Sequence, residues 1–308
     1  TFDMNKDEDI LDCFIEDKSG NHCELEFFRD KNNDGDYNDC YSESTKGNIC
    51  EEDRDPMDDQ GHGTHVAGTA AGKGDYNGNN IYEPEKGEVW GVAPDSKIIA
   101  YKVLDSEGGG DGVNIINAIK KSADPNGDGD YFDHVDIISM SLGGYGNPDD
   151  AMSKAVDNAV DAGVVAVIAA GNSGPSNKTI LSPGTARKAI TIGATDKYDK
   201  LALFSSRGPV VWSGGTINKP DITAPGVSIY AAVLNNGYSY LSGTSMATPH
   251  ISGAVALLLQ QNPTATPDEI KLLLAHGILH LLGYDHIKKH DSKIMQNMEK
   301  KLVRMTWI

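Results

Sequence analysis

Residues 151–174 run AMSKAVDNAVDAGVVAVIAAGNSG. From Ala151 to Ala162 the apolar side chains recur at helical spacing. From Val164 to Ala170 they form an unbroken run rich in Val, which ends abruptly in Gly171-Asn172-Ser173-Gly174. A helix followed at once by a strand apolar on both faces is half of a βαβ unit, because only a strand covered on both sides can leave out polar positions. Outward from this stretch, Lys97 to Leu104, Val135 to Leu142 and Ala189 to Ala194 read as further buried strands. Val113 to Lys121 and Ala247 to Gln261 read as helices. The alternation predicts an α/β fold with a mostly parallel sheet. Ligands of such sheets bind beyond the carboxyl ends of the strands, so the chemistry is expected on the loops that follow them.

The whole chain has 308 residues, enough for about two domains or one large α/β domain. Its 45 acidic against 27 basic side chains give a net charge of −18. That surface repels phosphate backbones, so no nucleic-acid partner is expected for the main domain. No stretch is apolar enough to suggest a membrane partner, and a monomer is expected. Three compositional regimes follow one another. Residues 1–60 hold 20 acidic and 6 basic side chains, so most of the charge lies there. Cys13, Cys23, Cys40 and Cys50 all fall in that part, and their even number in a loop-rich stretch points to disulfides and export, with three pairings open. Residues 276–308 are net basic and contain four of the nine histidines. The expected division is an acidic segment 1–50, a catalytic domain 51–275 and a distinct tail 276–308. The chain opens at Thr1 with no basic or apolar leader pattern, so any signal peptide is expected to have been removed or to lie upstream.

Three segments carry reactive groups. Gly61-His62-Gly63-Thr64-His65-Val66-Ala67-Gly68 surrounds two histidines with small residues. Ala169-Ala170-Gly171-Asn172-Ser173-Gly174 puts a side-chain amide just past a buried strand. Gly243-Thr244-Ser245-Met246-Ala247-Thr248-Pro249-His250 sets Ser245 at a helix start, where free N–H groups and the helix dipole favour negative charge. A hydroxyl, an imidazole and an amide donor are the parts of acyl transfer through a tetrahedral oxyanion. Taken singly, each has a structural reading: a hydrogen-bonded histidine, a turn-forming Asn and a helix-capping Ser.

Their joint occurrence with DDQGHGTHVAG, GVAPDSKIIAYKVL, DIISMSLGG, VIAAGNSG, LFSSRGP, KPDITAPG and SGTSMATPHISGAVALLL makes residues 51–272 closely resemble the catalytic domain of the subtilases, the subtilisin-like serine proteases. The resemblance implies a three-layer sandwich around a doubly wound sheet and endopeptidase activity on polypeptides. It implies that Ser245 is the nucleophile, His62 the general base and Asn172 an oxyanion donor beside the Ser245 N–H. His65 and His250 would be structural. Ser141, Leu142 and Gly143, with Gly108, Gly109 and Gly110, match the segments that pair with an extended substrate, whose close approach would explain the glycines. Together with the clustered cysteines, the resemblance places the protein outside the cell or in the cell envelope.

The family carries the aspartate that orients its histidine in an apolar strand ending Asp-Thr-Gly or Asp-Ser-Gly, and neither tripeptide occurs here. Asp17, in Phe14-Ile15-Glu16-Asp17-Lys18-Ser19-Gly20, is the in-chain candidate. The alternative is that the strand precedes Thr1. Calcium is expected at Asp124, Asn126, Asp128 and Asp130, which set oxygen ligands at alternate positions around a glycine turn in a place where many subtilases carry a similar loop. The loop Asp30 to Asp39 has the same alternation and is the second candidate.

Thr266-Pro267-Asp268-Glu269 predicts a capping box opening a helix that runs to about Leu282. Beyond it, HGILHLLGYDH places His276 and His280 on one helix face, and a turn at Gly283 can return His286 to that face. Three imidazoles with an open fourth position fit a catalytic-type zinc site. The spacing and text resemble the metal motif of the YbeY family of endoribonucleases, which implies zinc-dependent RNA hydrolysis in a tail fused near residues 272–276. The stripe Met295, Met298, Leu302 and Met305 fits that family's last helix and generic core packing alike.

Overall fold

The computed structural model describes residues 57–74, 89–286 and 291–299, together with the backbone of two short strands nearer the N terminus, β1 (Ile15–Glu16) and β2 (His22–Cys23), which pair antiparallel. The cysteine side chains, Asp17, the loop at 30–39, Leu302 and Met305 lie outside the described residues.

Four parallel strands form the central sheet: β3 (Ile137–Met140), β4 (Val165–Ala169), β5 (Ile190–Thr195) and β8 (Ile222–Pro225), in that spatial order. Two hairpins accompany it, β6 (Val210–Trp212) with β7 (Gly215–Ile217), and β9 (Ile229–Val233) with β10 (Gly237–Leu241). Helices α2 (Gly112–Ala123) and α3 (Ala151–Asp161) pack on each other and on one side of the sheet. On the other side, α4 (Thr244–Gln261) lies across β3, β4, β5 and β8 and meets α1 (His62–Ala71) and α5 (Pro267–Leu281).

β4 explains the layering. Every one of its residues is buried. Ala166 and Ile168 face the α2 and α3 layer with Ile115, Ile119 and Val156, whereas Val165 and Val167 face α4 with Ala247, Ile251 and Val255. The two-residue period of a strand thus sends alternate side chains into two cores. Burying each such Val or Ile contributes about 1.5–3 kcal/mol.

The expected helices appear at α2, α3 and α4, and the first two are anchored by local chemistry. The Asp111 side chain accepts from Val113 N at the start of α2, and that of Asp150 from Ser153 N at the start of α3. The capping box at α5 forms as read, with Thr266 Oγ1 accepting from Glu269 N and Glu269 Oε2 from Thr266 N at 2.8 Å. Three expected strands appear at β3, β4 and β5. The fourth does not: Lys97 to Leu104 is irregular, and only Val103 and Leu104 reach the core while Ile98 and Ile99 are exposed. Apolar patterning requests burial, but a strand exists only where a neighbouring backbone meets it in register. β8 takes the fourth place in the sheet instead.

α5 is continuous through residues 272–276, and a helical segment at 291–299 follows the turn beyond it. Among the described residues no helix is long and apolar enough to cross a membrane.

Candidate active site

Ser245 is the second residue of α4, whose N-cap is Gly243, a residue with no side chain to cap with. The cap comes from another loop. Asn172, three residues past β4, accepts from Thr244 N at 2.9 Å and from Thr244 Oγ1 at 3.1 Å, both at Oδ1. Thr244 Oγ1 in turn accepts from Gly171 N at 3.1 Å. Two donors on one atom fix the amide orientation, because the reverse assignment would face Nδ2 towards N–H and O–H groups. Nδ2 is therefore the end left to donate. A Cβ placed on Gly243 would sit 3.3 Å from Asn172 Nδ2 and 3.6 Å from Ser245 N, so these two donors border the same small space. An oxygen there would meet an amide N–H and the positive end of a helix.

Pro249 shapes the same turn. It has no N–H to give the carbonyl four residues back, which belongs to Ser245. Ser141 Oγ donates to that carbonyl instead, at 2.8 Å. The Ser245 hydroxyl lies 3.4 Å from Ser141 O, at the long limit of a hydrogen bond, and among the described residues no stronger acceptor holds it. Ser141 follows β3 directly, which brings the substrate-segment expectation beside the serine.

His62 opens α1, which packs against α4. Among the described residues no carboxylate hydrogen-bonds to its ring, and its backbone N–H donates to Gln60 Oε1 at 3.0 Å. Burial pushes its pKa below the ordinary 6.5, His65 acts in the same direction, and Asp58 opposes both. Asp58 was not singled out from the sequence. One of its oxygens accepts from Gln60 N and Gly61 N, the other from Thr64 N and Thr64 Oγ1, and these bonds shape the turn that carries His62. Burial would raise its pKa, yet the Thr64 hydroxyl and the backbone N–H groups outweigh that and hold it at about 2. The usual capping signal is a polar residue at the N-cap itself, and here that position is Gly61, with φ 93°.

His65 and His250 have structural contacts. His65 is fully buried, with Nε2 reaching Ile229 O at 3.0 Å and Ser239 O at 3.2 Å, so it ties α1 to the β9–β10 hairpin. His250 Nδ1 bonds Met246 O one turn back.

The glycines of the substrate segments are also required by the chain itself. A Cβ on Gly143 would come within 3.0 Å of Ser182 O, beside the bridge between Gly144 and Ser182. A Cβ on Gly110 would strike Val103 O at 2.5 Å. Gly108 and Gly109 close a turn in which Asp105 Oδ1 accepts from Glu107 N and Gly109 N. Close approach of a foreign strand is thus not the only reason for these residues.

In the acidic loop after α2, Asp124 accepts from Gly127 N, Asp128 N and Gly129 N, Asn126 Oδ1 from Asp128 N, Asp128 Oδ1 from Asp130 N, and Asp130 Oδ1 from Phe132 N. The oxygens suit calcium in kind, and each already braces the loop. Among the described residues, the one group of three His, Cys, Asp or Glu side chains with ligand atoms close enough to share an ion is His276, His280 and His286, whose atoms lie within 4.8 Å of one another. Gly283, with φ 86°, makes the turn that returns His286.

Comparison with known proteins shows the family and the fold. The model of the subtilase family matches residues 10–297. Serine protease AprX of Bacillus subtilis (strain 168) is 42% identical over 249 residues, covering 72% of this chain and 54% of that protein. Subtilisin DY of Bacillus licheniformis is 40% identical, covering 73% of this chain and 72% of its own. The chain therefore spans about half the length of the first of these relatives. Among solved structures, Sphericase superposes with a TM-score of 0.59 at 38% identity, over 68% of this chain and 67% of its own. A cold adapted subtilisin-like serine proteinase gives 0.56 at 35%, over 71% and 68%.

Proposed function

The chain belongs to the subtilase family of serine proteases, and from that premise we propose that it hydrolyses peptide bonds by acyl transfer through Ser245. The Ser245 hydroxyl attacks the scissile carbonyl carbon while its proton passes to His62. Negative charge on the carbonyl oxygen is met by Asn172 Nδ2 and Ser245 N–H. His62 then gives the proton to the departing amine, which leaves an ester on Ser245, and a water molecule activated by the same imidazole hydrolyses it. Ser141 to Gly143 and Gly108 to Gly110 line the path of an extended polypeptide. The observation that carries this reading is the Asn172 carbonyl capping α4, which leaves its amide beside the Ser245 N–H. A serine-directed fluorophosphonate is expected to label the folded protein at Ser245 and not the Ser245→Ala variant. Folded protein that stays unlabelled would remove the reading.

Calcium belongs to the same proposal, at Asp124, Asn126, Asp128 and Asp130. The ion would neutralise crowded carboxylates in a chain of charge −18. Location outside the cell or in its envelope rests on the family alone, whereas the assignment of 51–275 as the catalytic domain rests on the motifs and on the change in composition at either end.

The convergence of His276, His280 and His286 favours a second reading for the tail 276–308, a zinc site of the kind the YbeY endoribonucleases use. Three imidazoles would hold the ion and leave a position open for water. Zinc-loaded protein that cleaves no RNA would leave metal binding without the ribonuclease activity.

A further inference from the structure

His276 points two ways. Its Nδ1 lies 2.7 Å from Glu299 Oε1, and its Nε2 lies 3.1 Å from His280 Nε2. A carboxylate accepts but does not donate, so His276 carries a proton on Nδ1; in the neutral ring Nε2 then presents its lone pair towards the other two rings. Two nitrogens bound to one tetrahedral zinc at ~2.0–2.1 Å lie about 3.3–3.4 Å apart, close to the observed separation. The rings are already gathered, with centroids 4.7, 4.9 and 5.3 Å apart.

The position of Glu299 is specific. It lies 23 residues beyond His276, on the separate helical segment at 291–299, and its side chain is only 15% exposed. Met295, four residues earlier on the same helix face, is 1% exposed, so that face is seated against the protein. A carboxylate held inward against a histidine whose other nitrogen faces a ring cluster is the arrangement in which an outer partner sets tautomer and ring angle for a metal. As an ion pair alone, between partly exposed groups, the contact would contribute little.

We propose that Glu299 is the outer-sphere carboxylate of a three-histidine transition-metal site, and that loading the metal staples the 291–299 segment to α5. The inference rests on the zinc reading of the tail and adds to it a residue and a structural consequence. Glu299 is a positioning residue: it acts through His276 and does not touch the ion.

Zinc competition against a chromogenic chelator, on the full chain, tests both parts. The protein is expected to take one zinc, and His280→Ala to take none. Glu299→Ala should still take one, about 10–100-fold more weakly. Glu299→Gln should recover part of the loss, because its carbonyl can still accept from Nδ1–H. Cobalt(II) in place of zinc should give a tetrahedral visible spectrum that changes in Glu299→Ala. Amide hydrogen exchange across 291–299 in the unaltered protein should slow when zinc is added. If Glu299→Ala binds as tightly as the parent while His280→Ala loses the ion, the role of Glu299 is overturned and the site stands. No zinc uptake by the parent chain overturns the metal reading itself. Zinc uptake with unchanged exchange at 291–299 overturns the staple.

Discussion

Asn172 has one end occupied and one end free, and that asymmetry is its chemical value. The carbonyl caps α4, so the amide nitrogen can stabilise charge without first turning over. Asn172→Ala is expected to lower peptide turnover by about 10²–10³-fold, measured with a chromogenic peptide ester. The same variant also removes the cap, so its melting temperature should be followed in parallel. His62 must be unprotonated to act as base. Because burial lowers its pKa, the acid limb of labelling at Ser245 is expected to centre below 6.5, with reactivity retained into mildly acidic solution and lost as His62 takes up its proton. A rate–pH profile checks this. An acid limb centred above 6.5 would instead mean that a carboxylate has joined the ring and favours its charged form. The two proposed donor residues and the proposed base were singled out from residue type and motif. Asp58 was not, since a carboxylate three positions before a glycine N-cap matches no local capping pattern.

Helix α4 begins with a glycine cap and carries an internal proline, which by propensity alone would weaken it. Its first turn is completed by other elements: Asn172 at the Thr244 N–H and Ser141 at the carbonyl that Pro249 leaves unanswered. α5 is the opposite case, being started by its own residues. Thr266→Ala is expected to cost about 1 kcal/mol, which lowers the melting temperature by about 2–4 °C for a domain of this size. A thermal melt of the purified variant measures it. Such local signals made α5 readable from sequence to within one residue. Lys97 to Leu104 had a signal of the same strength for a strand and forms none, because pairing depends on a second stretch of backbone that composition does not reveal.

At the scale of the molecule, the question is whether residues after 275 are an appendage or part of the folded body. α5 crosses that boundary as one helix, with Ile270 buried in the core beneath α4 and Leu279 fully buried in its last turns. The subtilase family match likewise continues to residue 297. Leu279→Ala is accordingly expected to destabilise the whole cooperative unit by about 2–5 kcal/mol, read as a shift of a single denaturant transition. A separate, earlier transition for the tail, with the main one unmoved, would instead mark 276–308 as independent. Net charge bears on a different property: a chain at −18 is expected to disfavour polyanions and to make carboxylate-rich loops responsive to divalent cations.

By itself the sequence determined the fold class, the alternation of helix and strand and the capping box, and it nominated the reactive side chains, because each depends on periodicity, local hydrogen bonding or residue chemistry within a few positions. Only the tertiary structure decided that β8 completes the sheet, that Asn172 presents its nitrogen and not its oxygen, and that Glu299 meets His276 across 23 residues. These are pairings between distant parts of the chain, and their energies depend on distance and orientation that no window of neighbouring residues contains.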